Sequence, residues 1–131
     1  MNAGPLVLIV EDNARNMTLV RDVLRYAGYR TLEASDGEQG VALARSHQPD
    51  LILMDVQLPG MDGVEALAQL REDASTAAIP VVALTAFAMR DDRERFLAAG
   101  FRGYLEKPLS VRELPGQVAR LIGVPEPGAR G

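Results

Sequence analysis

The sequence predicts an α/β domain, a doubly wound five-stranded parallel sheet of order 2-1-3-4-5 with five helices. Two observations carry this. Short apolar runs such as Leu6-Val7-Leu8-Ile9-Val10 and Leu51-Ile52-Leu53-Met54 lack polar alternation, as strands buried on both faces do. Each strand-like run is followed by a stretch with apolar residues three and four apart, so strands and helices alternate five times along the chain. Right-handed crossovers between parallel strands then place helices on both faces.

The elements follow in order. Strand one is Leu6–Val10, bounded by Glu11-Asp12-Asn13. Asp12 or Asn13 caps a first helix in which Met17, Val20, Leu24 and Ala27 share a face, and Gly28 stops it. Arg30–Ala34 is half polar, as befits an edge strand. Ser35-Asp36-Gly37 turns into a second helix carrying Val41, Leu43 and Ala44, ending near residues 47–49. Strand three ends on Asp55 and breaks into a Leu58-Pro59-Gly60 turn. Asp62 caps a third helix with Val64, Leu67 and Leu70 inward, and the polar residues 72–76 release it. Residues 79–84 form the fourth strand, which ends on Thr85. Asp91 with Glu94 makes a capping-box-like start to a fourth helix through Phe96 and Leu97, stopped at Gly100. Tyr104-Leu105 centres a short fifth strand, followed by Glu106-Lys107-Pro108. Ser110 with Glu113 repeats the capping pattern before a last helix with Val118, Leu121 and Ile122 inward. Pro115-Gly116 falls one turn into that helix. An interior proline costs about 3 kcal/mol, so a kink or a late start is expected. Residues 1–123 are expected to form the domain and residues 124–131 a flexible tail.

A chain of 131 residues suits one domain, and 47% hydrophobic with 24% charged residues is an ordinary globular composition. No run is long enough to span a membrane and no signal-peptide pattern is present. With no cysteine there is no disulfide framework or thiolate metal site. A soluble, cytoplasmic protein is expected. The net charge of -4 argues against nucleic acid as a partner.

In the order 2-1-3-4-5, strands one and three are neighbours at the switch point, so Glu11, Asp12 and Asp55 converge on one crevice. At about 4 Å and an effective dielectric near 20, each like-charge pair costs roughly 4 kcal/mol, so such a site raises a pKa or holds a cation. Oxygen-only donors select a hard divalent ion. The small number of protein ligands suits Mg²⁺, which keeps waters and binds phosphate oxygens; Mn²⁺ and Ca²⁺ share the donor chemistry. Strands four and five add Thr85 and Lys107 on the same edge, a hydroxyl and a point charge suited to a phosphoryl group. Singly, Asp55 reads as a turn aspartate, Thr85 as a strand or cap residue and Lys107 as a solvated lysine. Their common edge is what points to chemistry.

These motifs, Val10-Glu11-Asp12-Asn13, Met54-Asp55-Val56-Gln57-Leu58-Pro59-Gly60-Met61-Asp62-Gly63, Leu84-Thr85-Ala86 and Tyr104-Leu105-Glu106-Lys107-Pro108, resemble the receiver domain of bacterial two-component response regulators (the CheY-like superfamily). Within it, Ala83-Leu84-Thr85-Ala86-Phe87-Ala88-Met89 and Lys107-Pro108-Leu109-Ser110-Val111 look most like the stand-alone DivK type. The resemblance implies phosphoryl transfer from a histidine kinase or a histidine phosphotransfer protein to Asp55. Glu11 and Asp12 would place Mg²⁺, with Mn²⁺ as an alternative, helped by Asp55 and the backbone carbonyl of Gln57. Glu11, longer than the aspartate usual there, would reach the metal through water. Lys107 would pair with one phosphoryl oxygen and Thr85 with another, and Tyr104 would be the aromatic switch. Tyr104 also reads as an edge-strand aromatic that keeps its hydroxyl wet. His47 lies outside the motifs.

The chain is thus expected to be a phosphoacceptor rather than a turnover enzyme, a monomer or a weak phosphorylation-dependent dimer acting on a downstream protein target. Arg15, Asn16 and Leu19 form a candidate kinase-docking face. Gln57 and Phe87 border the path of a hydrolytic water, and bulky Phe87 is expected to prolong the phosphorylated state. Two competing functions fit poorly. A cofactor binder of this fold would want a Gly-rich phosphate loop where Glu11-Asp12 stands, and a phosphatase with an aspartyl nucleophile would want an acid where Gln57 stands. A phosphorylation-independent scaffold of the same fold remains the alternative.

Overall fold

The computed structural model describes residues 4–86 and 90–123 of the chain. The elements are β1 (Leu6–Val10), α1 (Ala14–Tyr26), β2 (Arg30–Ala34), α2 (Gly37–His47), β3 (Leu51–Asp55), α3 (Gly63–Glu72), β4 (Val81–Thr85), α4 (Arg90–Ala99), β5 (Gly103–Glu106) and α5 (Leu114–Ile122). The five strands are parallel and ordered β2-β1-β3-β4-β5. The tail expected at residues 124–131, like Phe87, lies outside the described residues.

Strand alternation divides the core into two layers. Leu8, Val10, Ile52, Met54, Val81 and Ala83 face α2, α3 and Phe96 of α4. Val7, Ile9, Leu51, Leu53, Val82 and Leu84 face α1 and α5 through Met17, Val20, Leu24, Leu114 and Val118. Both faces of β1, β3 and β4 are therefore apolar, which is why those strands read as unbroken runs. β2 pairs only with β1, and its mixed burial is that of an edge.

Side-chain caps fix the loops that carry the site. Asn13 Oδ1 accepts from Asn16 N at 3.0 Å and starts α1, and Asp62 Oδ1 accepts from Glu65 N at 2.9 Å and starts α3. α3 begins so close to the end of β3 that a Cβ on Gly63 would stand 2.7 Å from the Asp55 carbonyl oxygen, so only glycine fits. Gly28, at φ 101°, ends the turn after α1 in the left-handed region.

Three details depart from the sequence reading. Val64 is 40% exposed, because Gly63, Ala66, Leu67 and Leu70 already complete the buried stripe of α3. Asp91 lies within α4, which includes Arg90, rather than capping it. β4 begins at Val81 because Pro80 has no N–H to give the ladder; its carbonyl still accepts from Ile52 N at 3.0 Å. The late start expected of α5 is what the structure shows. Ser110 Oγ and carbonyl take the N–H groups of Glu113 and Leu114, and Pro115 then sits in the first helical turn, where its missing N–H costs nothing.

Candidate functional site

The site lies at the carboxyl ends of β1, β3, β4 and β5. Asp55 closes β3 and is 4% exposed. Its Oδ1 accepts from Gln57 N at 2.9 Å, and its Oδ2 accepts from Lys107 Nζ at 2.7 Å. Glu11, immediately after β1, is also buried, and its Oε2 accepts from Asn13 N at 3.1 Å. Lys107 Nζ stands 3.0 Å from Glu11 Oε1, close enough for an ion pair but outside hydrogen-bond geometry, so that buried oxygen has no hydrogen-bond donor. Asp12 is exposed, and one oxygen from each of Glu11, Asp12 and Asp55 falls within 4.8 Å of the others.

Backbone geometry aims Lys107 into this cluster. Its N–H donates to the Thr85 carbonyl at 2.8 Å, extending the β4–β5 ladder one step beyond the Thr85–Glu106 pair. Thr85 itself is 1% exposed at the end of β4. The structure thus brings Glu11, Asp12, Asp55, Thr85 and Lys107 to one edge, with Gln57 in the adjoining loop. His47 stays apart on the exposed end of α2, its Nδ1 2.8 Å from Ser46 Oγ. Sequence reasoning missed the backbone donors of Asn13 and Gln57, because an N–H leaves no trace in residue type.

Three carboxylates against one ammonium leave two formal negative charges in a half-closed crevice. Burial pushes the Glu11 carboxyl above its ordinary 4.5; the Lys107 and Asn13 N–H groups oppose this and neighbouring Asp55 adds to it. For Lys107, burial acts downward, but its hydrogen bond to Asp55 and its ion pair with Glu11 outweigh it and hold the ammonium above its ordinary 10.5. The Glu11 oxygen that accepts no hydrogen bond, the excess negative charge and the all-oxygen donor set fit a hard divalent cation.

A pH prediction follows. A carboxyl raised by the fold binds more protons folded than unfolded, so its contribution makes stability fall as pH rises from 4.5 through the raised value. Chemical denaturation in chelator across this range is expected to show a shallower loss with rising pH for Glu11→Gln than for the wild type. Parallel curves would mean that Glu11 is not held in this way.

The response regulator receiver domain profile matches residues 7–119. The chain belongs to this family. The receiver is 49% identical over 117 residues to the polar-differentiation response regulator DivK of Brucella anthropi, covering 89% of this chain and 95% of that one. Among solved structures it is similar to the receiver domain of the sensor histidine kinase PA1611 of Pseudomonas aeruginosa PAO1, which holds a magnesium ion in its active-site cleft. That match has a TM-score of 0.84 and 42% identity, over 92% of this chain and 99% of the other. It is also similar to the Ssk1 receiver domain of Saccharomyces cerevisiae in its co-crystal with the histidine phosphotransfer protein Ypd1. There the TM-score is 0.81 and the identity 30%, over 92% and 90% of the two chains. No helix among the receiver's described residues is long and apolar enough to cross a membrane.

Proposed function

We propose that this receiver accepts a phosphoryl group on Asp55 from the phosphohistidine of a histidine kinase or histidine phosphotransfer protein. It then signals by phosphorylation-dependent contacts with a downstream protein. The observation that carries this reading is the convergence of the Glu11, Asp12 and Asp55 carboxylates at one sheet edge, with Lys107 bridging Glu11 and Asp55. The PA1611 receiver with magnesium in its cleft and the Ssk1 receiver bound to Ypd1 support the cofactor and the partner class.

In this reading an Asp55 carboxylate oxygen bonds to phosphorus as the phosphorus–nitrogen bond to histidine breaks, and the histidine leaves. Such transfer, through a loose in-line transition state, requires positioning and charge neutralisation more than a general base. Lys107, already 2.7 Å from Asp55, is placed to follow the new charge onto a phosphoryl oxygen, and Thr85 supplies a hydroxyl to another. Glu11, Asp12, Asp55 and the backbone carbonyl of Gln57 would hold Mg²⁺, or Mn²⁺ in its place, which neutralises phosphoryl charge when bound. The domain turns over no external substrate, works in the cytoplasm, and is a monomer or a weak phosphorylation-dependent dimer.

Thr85 and Tyr104 form the switch. Tyr104 pairs with Ala83, and strand alternation sets Ala83, Thr85 and Tyr104 on one face of the sheet. When Thr85 turns toward the phosphoryl group, Tyr104 fills the room left on that face, which changes the surface over α4, β5 and α5.

The test is Mg²⁺-dependent incorporation of phosphate from a small phosphodonor. Stoichiometric labelling is expected for the wild type. Asp12→Ala is expected to lose Mg²⁺ binding in a metal titration and most of its labelling. A wild-type protein that takes up no phosphate would favour the phosphorylation-independent scaffold.

Kinase docking is assigned to the outer face of α1, where Arg15 is exposed and Leu19 is 36% exposed, off the Met17, Val20 and Leu24 stripe. Leu19→Asp is expected to slow transfer from the cognate kinase at least tenfold, the effect of about 1.4 kcal/mol of lost binding, with small-donor labelling intact. Unchanged kinase transfer would place the dock elsewhere.

A further inference from the structure

α4 is a polar helix with a light hold on the sheet. Among its residues 92–99, Phe96 alone is buried. Its C-terminal end is tied firmly. The Phe101 ring meets Phe96 edge-on at 6.0 Å, Phe101 N donates to the Phe96 carbonyl at 3.1 Å, and Arg71 Nη2 donates to the Gly100 carbonyl at 3.3 Å. Nearer the other end, α4 reaches β5 through Arg93, whose guanidinium carbon lies 5.2 Å from the centroid of the Tyr104 ring.

The helical repeat explains this placement. Arg93 precedes Phe96 by three residues and so shares the face turned toward the sheet. Tyr104 is half-buried, packed on the core at one side, and its partner across the strand pair is Ala83. A methyl group sets little of a tyrosine ring's orientation, so the group lying over the ring decides it.

We propose that Arg93 is a positioning residue that holds Tyr104 in its unphosphorylated orientation by a cation–π contact, setting how readily phosphorylation throws the switch. This rests on the reading of Tyr104 as the switch residue. For the ring to turn into the space vacated by Thr85, it must leave the guanidinium. At exposed sites such a contact shifts a two-state population by about two- to fivefold. Phosphorylation must overcome that factor, and loss of Arg93 removes it. The receiver would then occupy part of its phosphorylated-like surface without phosphate.

The test uses the full chain with fluorotyrosine at Tyr26, Tyr29 and Tyr104, the Tyr104 resonance being assigned with Tyr104→Phe. ¹⁹F NMR spectra are recorded without phosphodonor, and with a small phosphodonor and Mg²⁺. Arg93→Met keeps an aliphatic stem over the ring and removes the charge, while Arg93→Lys keeps the charge without the planar fork. In unphosphorylated Arg93→Met, the Tyr104 resonance is expected to move toward its phosphorylated position, corresponding to about a two- to fivefold larger turned-in population. Arg93→Lys is expected to lie between Arg93→Met and wild type, with labelling of Asp55 unchanged in both. A Tyr104 resonance in Arg93→Met that matches wild type would overturn the inference. A resonance that responds to Arg93→Met but not to phosphorylation of the wild type would overturn it as regulation and remove Tyr104 from the switch, while labelling would still report the phosphoacceptor chemistry separately.

Discussion

Asp55→Asn is expected to abolish phosphate incorporation from small donors and from the kinase alike, while leaving the protein folded. Asparagine has nearly the shape of aspartate, so the buried position at the end of β3 is filled as before. The amide has one oxygen where the carboxylate has two, and Gln57 N and Lys107 Nζ both donate here. One donor must lose its partner, a cost of about 1–3 kcal/mol. Lys107 retains Glu11, which keeps the ammonium from being stranded. What disappears is the anionic oxygen that bonds to phosphorus, and an amide oxygen does not replace it as a nucleophile. The folded mutant is checked by denaturation, and incorporation by intact-mass measurement with acyl phosphate and Mg²⁺. Stoichiometric labelling of Asp55→Asn would move the acceptor to another residue.

Most of the frame was legible in the sequence because its signals are local. β1 and β3 are apolar on every residue that both layers bury, and Asn13 and Asp62 cap the helices they precede. The edge that gathers Glu11, Asp12, Asp55, Thr85 and Lys107 followed from strand order alone, since each residue ends its strand or lies one or two residues after it. The illegible parts are those decided by partners distant in the chain. Thr76 read as part of a polar release segment, yet it is fully buried with its hydroxyl on the Leu70 carbonyl at 2.7 Å. Arg71 carried no reading at all in the sequence, yet its guanidinium joins the carbonyls of Ala77, Ile79 and Gly100. Val64 is an apolar residue beside a stripe already full, which periodicity alone does not separate from the stripe itself. Nor did the motif reveal that Lys107 spans Glu11 and Asp55 without phosphate, a pairing set by the β4–β5 register.

Lys107→Met is expected to destabilise the metal-free protein by about 3 kcal/mol, the low end of the range for breaking a buried ion pair by removing one partner. The low end applies because the lysine side chain is 20% exposed, whereas the Glu11 and Asp55 side chains are 1% and 6% exposed. Methionine fills the stem's space, so the loss measures charge rather than a cavity. The pH dependence has a fixed sign. Lys107 is raised above 10.5 in the fold, so its stabilisation is fully present below that value and is lost only as pH climbs through the higher folded value. On the acid side, Glu11 takes up its proton early because its own pKa is raised, so the gap between mutant and wild type narrows as pH falls through that value. Without the ammonium the three carboxylates hold one more uncompensated negative charge. Mg²⁺ is therefore expected to bind Lys107→Met more tightly than wild type and to restore much of its stability, while phosphate incorporation stays low for want of the lysine. Denaturation in chelator and in Mg²⁺ separates these effects. An equal loss of stability in both media would show that Lys107 does not neutralise the acidic cluster.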